Sequence, residues 1–194
     1  SVLVTRDPYL QSGTPDAVTV RWRTDVATDS RVRWGTVQGS LDQVADVATS
    51  TTEHAVRITG LQPATTYFYS IGSTTNVQDG DDAGTRFTTP PAVGSGQATR
   101  VWVLGDSGTA NVSARAVRDA YDAFTGARGT DLWLMLGDNA YDSGTDSQYQ
   151  AAVFDTYPVH LRREVLWPTL GNHDAASADS ATQRSEEHTS ELQS

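Results

Sequence analysis

The chain has 194 residues, 37% of them hydrophobic and 20% charged, which suits one large or two small soluble domains and excludes disorder throughout. A formal net charge of −10 excludes nucleic acid as a partner steered in by charge, and the absence of cysteine rules out disulfides, thiolate zinc sites and a thiol nucleophile. No run reaches the roughly 18 to 20 apolar residues of a membrane helix.

From Tyr9 to about Thr89 the sequence is a series of short, alternating, β-branched runs divided by turn clusters, the pattern of an all-β sandwich. Alternation over Ala17 to Arg23 places Val18, Val20 and Trp22 on one face, and Arg31-Val32-Arg33-Trp34 repeats it. Gly84 to Thr89 forms the last strand of the series, and Pro90 to Gln97 has the composition of a linker.

Beyond the linker the pattern changes to continuous apolar strands alternating with helices. Val101-Trp102-Val103-Leu104 is apolar enough to predict a strand buried on both faces. Asn111 caps a helix whose Val112, Ala116, Ala120 and Phe124 share a stripe, and Gly126 stops it. Leu132 to Leu136 is a second buried strand. Thr145 or Asp146 opens another helix carrying Tyr149, Val153 and Tyr157 on one face, with Pro158 ending it, and Val165-Leu166-Trp167 is a third, shorter strand. The tryptophans fall mostly within strand patterns and are read as core; His54 and His160 carry no motif and are not proposed as ligands.

Each of the three strands runs into a polar motif: Gly105-Asp106-Ser107-Gly108, Gly137-Asp138-Asn139-Ala140-Tyr141 and Gly171-Asn172-His173-Asp174. In α/β sheets ligands gather beyond the carboxyl ends of strands, so the three segments converge on one rim. Alone, any Gly-Asp after a strand reads equally as a turn or a helix cap. Gly-Asn-His-Asp, however, arises by chance in a chain of this length on the order of once in a thousand, and here it follows two strand-Gly-Asp motifs. Oxygen donors of this kind suit hard cations, and a shared carboxylate such as Asp138 can bridge two ions about 3.5 to 4 Å apart. The glycine before each ligand is read as giving a sharp turn and room for an ion or a phosphate.

Two resemblances follow. Leu61-Gln62-Pro63-Ala64-Thr65-Thr66-Tyr67-Phe68-Tyr69 resembles the corner of fibronectin type III domains, which implies that Tyr67 bonds back to the backbone. The later motifs resemble those of calcineurin-like metallophosphoesterases in the form used by purple acid phosphatases: Gly108 stands where the wider superfamily has histidine, and Tyr141 where it has aspartate. The implied organisation is a fibronectin type III-like β-sandwich over residues 1–90, a linker over 91–98 and the front part of an α/β metallophosphoesterase domain over 99–183.

That resemblance implies a binuclear centre, with Asp106, Asp138 and Tyr141 on a ferric ion and Asp138 and Asn172 on a divalent ion of iron, zinc or manganese. Tyrosine suits a trivalent partner, because its pKa near 10 must fall by several units before it coordinates in acid. His173 would protonate the leaving group or orient the phosphate. The implied activity is hydrolysis of small phosphate monoesters by a secreted protein; a mature secreted chain would begin, as this one does, without a signal peptide. A phosphodiesterase or nucleotidase with the same centre is the alternative, and a β-sandwich that only binds is a third reading. Neither the oligomeric state nor the identity of the second metal is legible.

The family completes its site with three downstream histidines, from Val-x-x-His and Gly-His-x-His segments that do not occur here. Residues 184–194, Arg-Ser-Glu-Glu-His-Thr-Ser-Glu-Leu-Gln-Ser, resemble an in-frame translated sequencing adapter. The expectation is that the natural protein continues past about Gln183, that this chain is inactive by itself, and that it exposes apolar surface the remainder would cover.

Overall fold

A computed structural model of the chain describes residues 1–177. The predicted tail over 184–194 and the end of the second predicted domain, 178–183, lie outside the described residues. The chain forms two compact units, one of Ser1–Gln97 with Val159–Val165 and the other of Ala98–Pro158 with the chain from Leu166 onward.

The first unit is a β-sandwich of six antiparallel strands: β1 (Val4–Thr14), β2 (Ala17–Gly35), β3 (Gln43–Thr59), β4 (Thr66–Gly72), β5 (Val77–Gly80) and β6 (Arg86–Thr88). Strand β2 pairs with β1 and β3 over its first half and with β3 and β4 over its last residues, with register shifts between Arg23 and Ser30. Bulges bend and twist a strand, so one long strand can serve both layers. The period-two residues Val18, Val20, Trp22, Val32 and Trp34 all face a single core with Leu10, Val56, Ile58, Tyr69 and Phe87. Each fully buried side chain of this size contributes roughly 1.5–3 kcal/mol of hydrophobic stabilisation. The Tyr67 hydroxyl accepts the Gln62 N–H at 2.9 Å, the corner bond expected of it.

The segment Val159–Val165 belongs to this unit although it lies far along the chain. Leu10 bridges to Val165. The wholly buried Tyr69 donates its hydroxyl to the Arg162 carbonyl at 2.9 Å, and the Arg162 guanidinium lies 2.8 Å from Asp7 and 3.1 Å from Asp79.

The second unit is an α/β layer with a parallel sheet ordered β7 (Val101–Leu104), β8 (Leu132–Met135) and β9 (Leu166–Pro168). Helix α1 (Val112–Thr125) joins the first two strands; Asn111 Oδ1 caps it by accepting the N–H groups of Ser113 and Ala114, and Gly126 ends it at φ 52°.

Two expectations about packing fail here. The stripe Val112, Ala116, Ala120, Phe124 faces outward, with Val112 74% and Phe124 76% exposed. The inward side runs through Ala114, Arg118, Tyr121 and Thr125: Tyr121 stacks on Trp102 at 4.0 Å and Arg118 donates to the Thr156 carbonyl at 2.5 Å. Aromatic stacking and hydrogen bonding on a mixed stripe outweigh an all-apolar one. Strand β7 is not buried on both faces either: Trp102 and Leu104 point inward, while Val101 and Val103 are about half exposed.

Helix α2 (Asp146–Tyr149) opens at a Thr145–Gln148 capping box and widens into a π-turn over Gln150–Phe154, burying Tyr149, Val153 and Tyr157 as their spacing predicts. Pro158 does not end that helix but begins α3 (Pro158–Leu161), because a proline at the first helical position lacks only an N–H the helix would leave unpaired. Among the described residues no helix is long and apolar enough to cross a membrane.

Candidate metal centre

Because β7, β8 and β9 are parallel and adjacent, the three Gly-containing loops leave one edge of the sheet together. Backbone hydrogen bonds knit the first two. Asp106 N–H donates to the Gly137 carbonyl at 3.1 Å, Gly108 N–H to the Asp138 carbonyl at 3.0 Å, and Tyr141 N–H to the Gly108 carbonyl at 2.9 Å. Positive φ falls on Gly137 at 98° and on the aspartates themselves, with Asp106 at φ 54° and Asp138 at φ 53°. On residues other than glycine such conformations cost on the order of 1–3 kcal/mol and cluster where surrounding structure enforces them.

Gly137, at φ 98°, makes the sharp turn expected of it, and two of the glycines also give space to a neighbouring loop. A Cβ on Gly137 would stand 2.8 Å from Gly171 Cα, and one on Gly171 would stand 2.9 Å from Asp138 Cγ, nearer still to Asp138 Oδ1. Their bareness makes room for the neighbouring loop rather than for an ion. Gly105, with Leu136 Cβ at 3.7 Å, has ordinary space around it.

Asp106, Asp138 and Tyr141 come together. The Tyr141 hydroxyl donates to Asp106 Oδ1 at 3.0 Å and lies 3.4 Å from Asp138 Oδ2. Burial, then the hydrogen bond and charge of Asp106, then Asp138, push the phenol up to about 12. A proton thus holds two carboxylates and a phenol oxygen at one point. All three donors are hard oxygens, the set that a di- or trivalent cation takes up in place of such a proton. Among the described residues no group of three or more His, Cys, Asp or Glu side chains is placed to hold a metal, so tyrosine is needed to complete even this set.

His173 stands edge-on to the Tyr141 ring, with centroids 4.7 Å apart, and its backbone N–H donates to Asp138 Oδ1 at 3.1 Å. Its Nδ1 lies 2.6 Å from the Asp142 carbonyl. A carbonyl only accepts, so Nδ1 carries a proton and Nε2 is the nitrogen left to exchange one. Asn172 is exposed, between the Gly171 that packs on Asp138 and the His173 that bonds it.

Sequence reasoning gave Asp174 no role, yet it is wholly buried beneath these loops and accepts hydrogen bonds from both. Its place in Gly-Asn-His-Asp was the only signal available. The Asp142 carbonyl, which sets the His173 tautomer, had none.

Residues 6–89 match the family model described as purple acid phosphatase, N-terminal domain. No curated protein matches the chain. Among solved structures, one described as PhoD is similar over 86% of this chain, with a TM-score of 0.62 at 13% identity, and this chain spans 38% of that one. The sixth fibronectin type III domain of a human fibronectin type III domain-containing protein is similar over 48% of this chain and 90% of its own, with a TM-score of 0.33 at 24% identity. The FN5 domain of Drosophila Lar is similar over 44% of this chain and 92% of its own, with a TM-score of 0.33 at 20% identity.

Proposed function

We propose, from the match of residues 6–89 to the purple acid phosphatase N-terminal domain, that the parent protein is a binuclear-metal phosphoesterase that hydrolyses small phosphate monoesters outside the cytoplasm. The observation that carries the reading is the Tyr141 hydroxyl set between the carboxylates of Asp106 and Asp138. The fold likeness to PhoD over most of this chain supports it at the level of fold.

In this reading Asp106, Asp138 and Tyr141 would hold a ferric ion, and Asp138 and Asn172 a divalent ion. Bound there, the pair of ions would offset phosphoryl charge and supply an activated water. The chain's own residues do the rest. Tyr141 would release its proton to solvent on coordinating a cation, and the His173 N–H holds the Asp138 carboxylate in place. His173, with Nδ1–H held by the Asp142 carbonyl, presents Nε2; protonated there, it hands its proton to the departing alkoxide as the ester P–O bond breaks and a new P–O bond to water forms.

The test is a full-length clone of the parent assayed on mono- and diester substrates, beside its Asp138→Ala variant. The reading expects faster monoester turnover and loss of hydrolysis in the variant. Equal rates on both substrates would remove the monoester preference, and undiminished hydrolysis in Asp138→Ala would remove the metal centre.

A further inference from the structure

We propose that Asp174 is the positioning residue of this centre, setting the distance between the loop that carries Asp138 and the loop that carries Asn172; this rests on the metal-centre reading above. The Asp174 side chain is 0% exposed. Its Oδ1 accepts the N–H groups of Asn139 at 2.9 Å and Ala140 at 3.1 Å, and its Oδ2 accepts the Gly171 N–H at 2.8 Å and Asn139 Nδ2 at 3.3 Å. A carboxylate offers about four acceptor sites, and here every one is taken by a donor from one of the two ligand loops.

The placement of those donors gives the arrangement its function. Asn139 and Ala140 directly follow Asp138, and Gly171 directly precedes Asn172. One rigid, buried group is therefore bonded to the backbone on the flank of each ligand, without itself reaching the Tyr141 side where the donor oxygens meet. The other links between the loops are weaker guides. His173 N–H makes a single bond, to the Asp138 side chain and not to the loop backbone, and the Gly137–Gly171 approach is a contact without direction. Asn139, also buried, ties the brace to the end of β9 by donating Nδ2 to the Thr169 carbonyl at 2.8 Å. An amide at position 174 keeps the size but turns one edge from acceptor to donor, so it must abandon either Gly171 or the Asn139–Ala140 pair. Ligand positions in a metal site must be held to about 0.5 Å, and losing an outer-shell partner of this kind typically costs about 10- to 100-fold in metal affinity.

The experiment titrates ferric ion, delivered from a weak chelate, into the full-length parent protein and its Asp174→Asn and Asp138→Ala variants. Visible tyrosinate absorption reports binding, and near-ultraviolet circular dichroism of the metal-free proteins reports the packing around Trp102 and Trp133. The expected result is a ferric Kd raised about 10- to 100-fold in Asp174→Asn with the metal-free spectrum retained, and no binding in Asp138→Ala. Wild-type affinity in Asp174→Asn, with binding lost in Asp138→Ala, overturns the positioning role and leaves the metal centre standing. Wild-type affinity in Asp138→Ala, or no uptake by the wild-type parent, overturns both. If Asp174→Asn does not fold, Asn139→Ala takes its place, since it removes the Nδ2 donor that bonds both Asp174 and Thr169 and leaves the three backbone amides. A loss of about 5-fold, the worth of one hydrogen bond, supports the proposal, and unchanged affinity overturns it.

Discussion

Adding one methyl group at Gly171 should disable the centre while a methyl at Gly105 should pass almost unnoticed. A Cβ at position 171 meets Asp138 Cγ at 2.9 Å, with Asp138 Oδ1 and N closer, whereas non-bonded carbons settle at about 3.5–4.0 Å. Either the Gly171 backbone or Asp138 must therefore yield by on the order of 1 Å. Gly171 does not lie in the left-handed region, so the cost is one of space and not of backbone conformation. Overpacking of this kind costs typically about 1–3 kcal/mol, enough to lower the melting point of the second unit without abolishing its fold. The functional effect should be larger, because a displacement of about 1 Å in a reacting array costs on the order of 100-fold. In the full-length parent, kcat/KM of Gly171→Ala should fall by about that factor. Gly105→Ala, whose Cβ would find only Leu136 Cβ at 3.7 Å, should stay near wild type. Wild-type turnover in Gly171→Ala, or equal damage from both substitutions, would refute the claim that the third loop is wedged against Asp138.

Two more outcomes are expected. Tyr141→Phe should remove the visible absorption of the ferric chain and also change how binding depends on pH. With the phenol pushed up to about 12, ferric uptake at any lower pH must release its proton, so this group makes affinity rise about tenfold per pH unit; plots of log Kd against pH should be shallower by one unit in the variant, and parallel plots would show that Tyr141 does not coordinate. His54, wholly buried, stacks on Trp22 at 4.6 Å and lies 2.8 Å from both the Thr24 and Ser30 hydroxyls. Burial holds its imidazole below the ordinary 6.5, against the opposing pull of Asp29. The unfolded chain therefore binds a proton that the folded one resists, so the stability this group confers is complete above about pH 6.5 and drains away as pH falls below it. Urea midpoints should decline faster for wild type than for His54→Gln between pH 7 and 5, and identical declines would discount the histidine.

What could be read in advance was whatever depends on short spacing. Alternation located the faces of β2 because a strand with one side in a core must repeat every second residue, and the corner at Tyr67 declared itself through nine consecutive residues. The three Gly-containing loops were visible for the same reason, each being a few residues after an apolar run. What failed depended on partners distant in sequence. Nothing near Val112 or Phe124 foretells that Tyr121 will find Trp102 and turn the other stripe inward. Nor does Val159–Val165 carry a mark of belonging with Tyr69, Asp7 and Asp79. Asp174 belongs to the same class, since its donors at Asn139 and Ala140 sit thirty-five and thirty-four residues away.

Glycine at 108 and tyrosine at 141 are linked by one structural cause. A Cβ on residue 108 would stand 2.5 Å from Ala140 N and from Asn139 C, so no side chain, histidine included, fits while the second loop runs where it does. That close passage is also what lets Gly108 N–H reach the Asp138 carbonyl and Tyr141 N–H reach the Gly108 carbonyl. The second of these bonds sets the backbone of Tyr141 beside the first loop, from which its hydroxyl spans to Asp106. Tyr141 can thus approach Asp106 only because position 108 is bare. The two residues act as one choice: a histidine at 108 should push the second loop away and strand Tyr141.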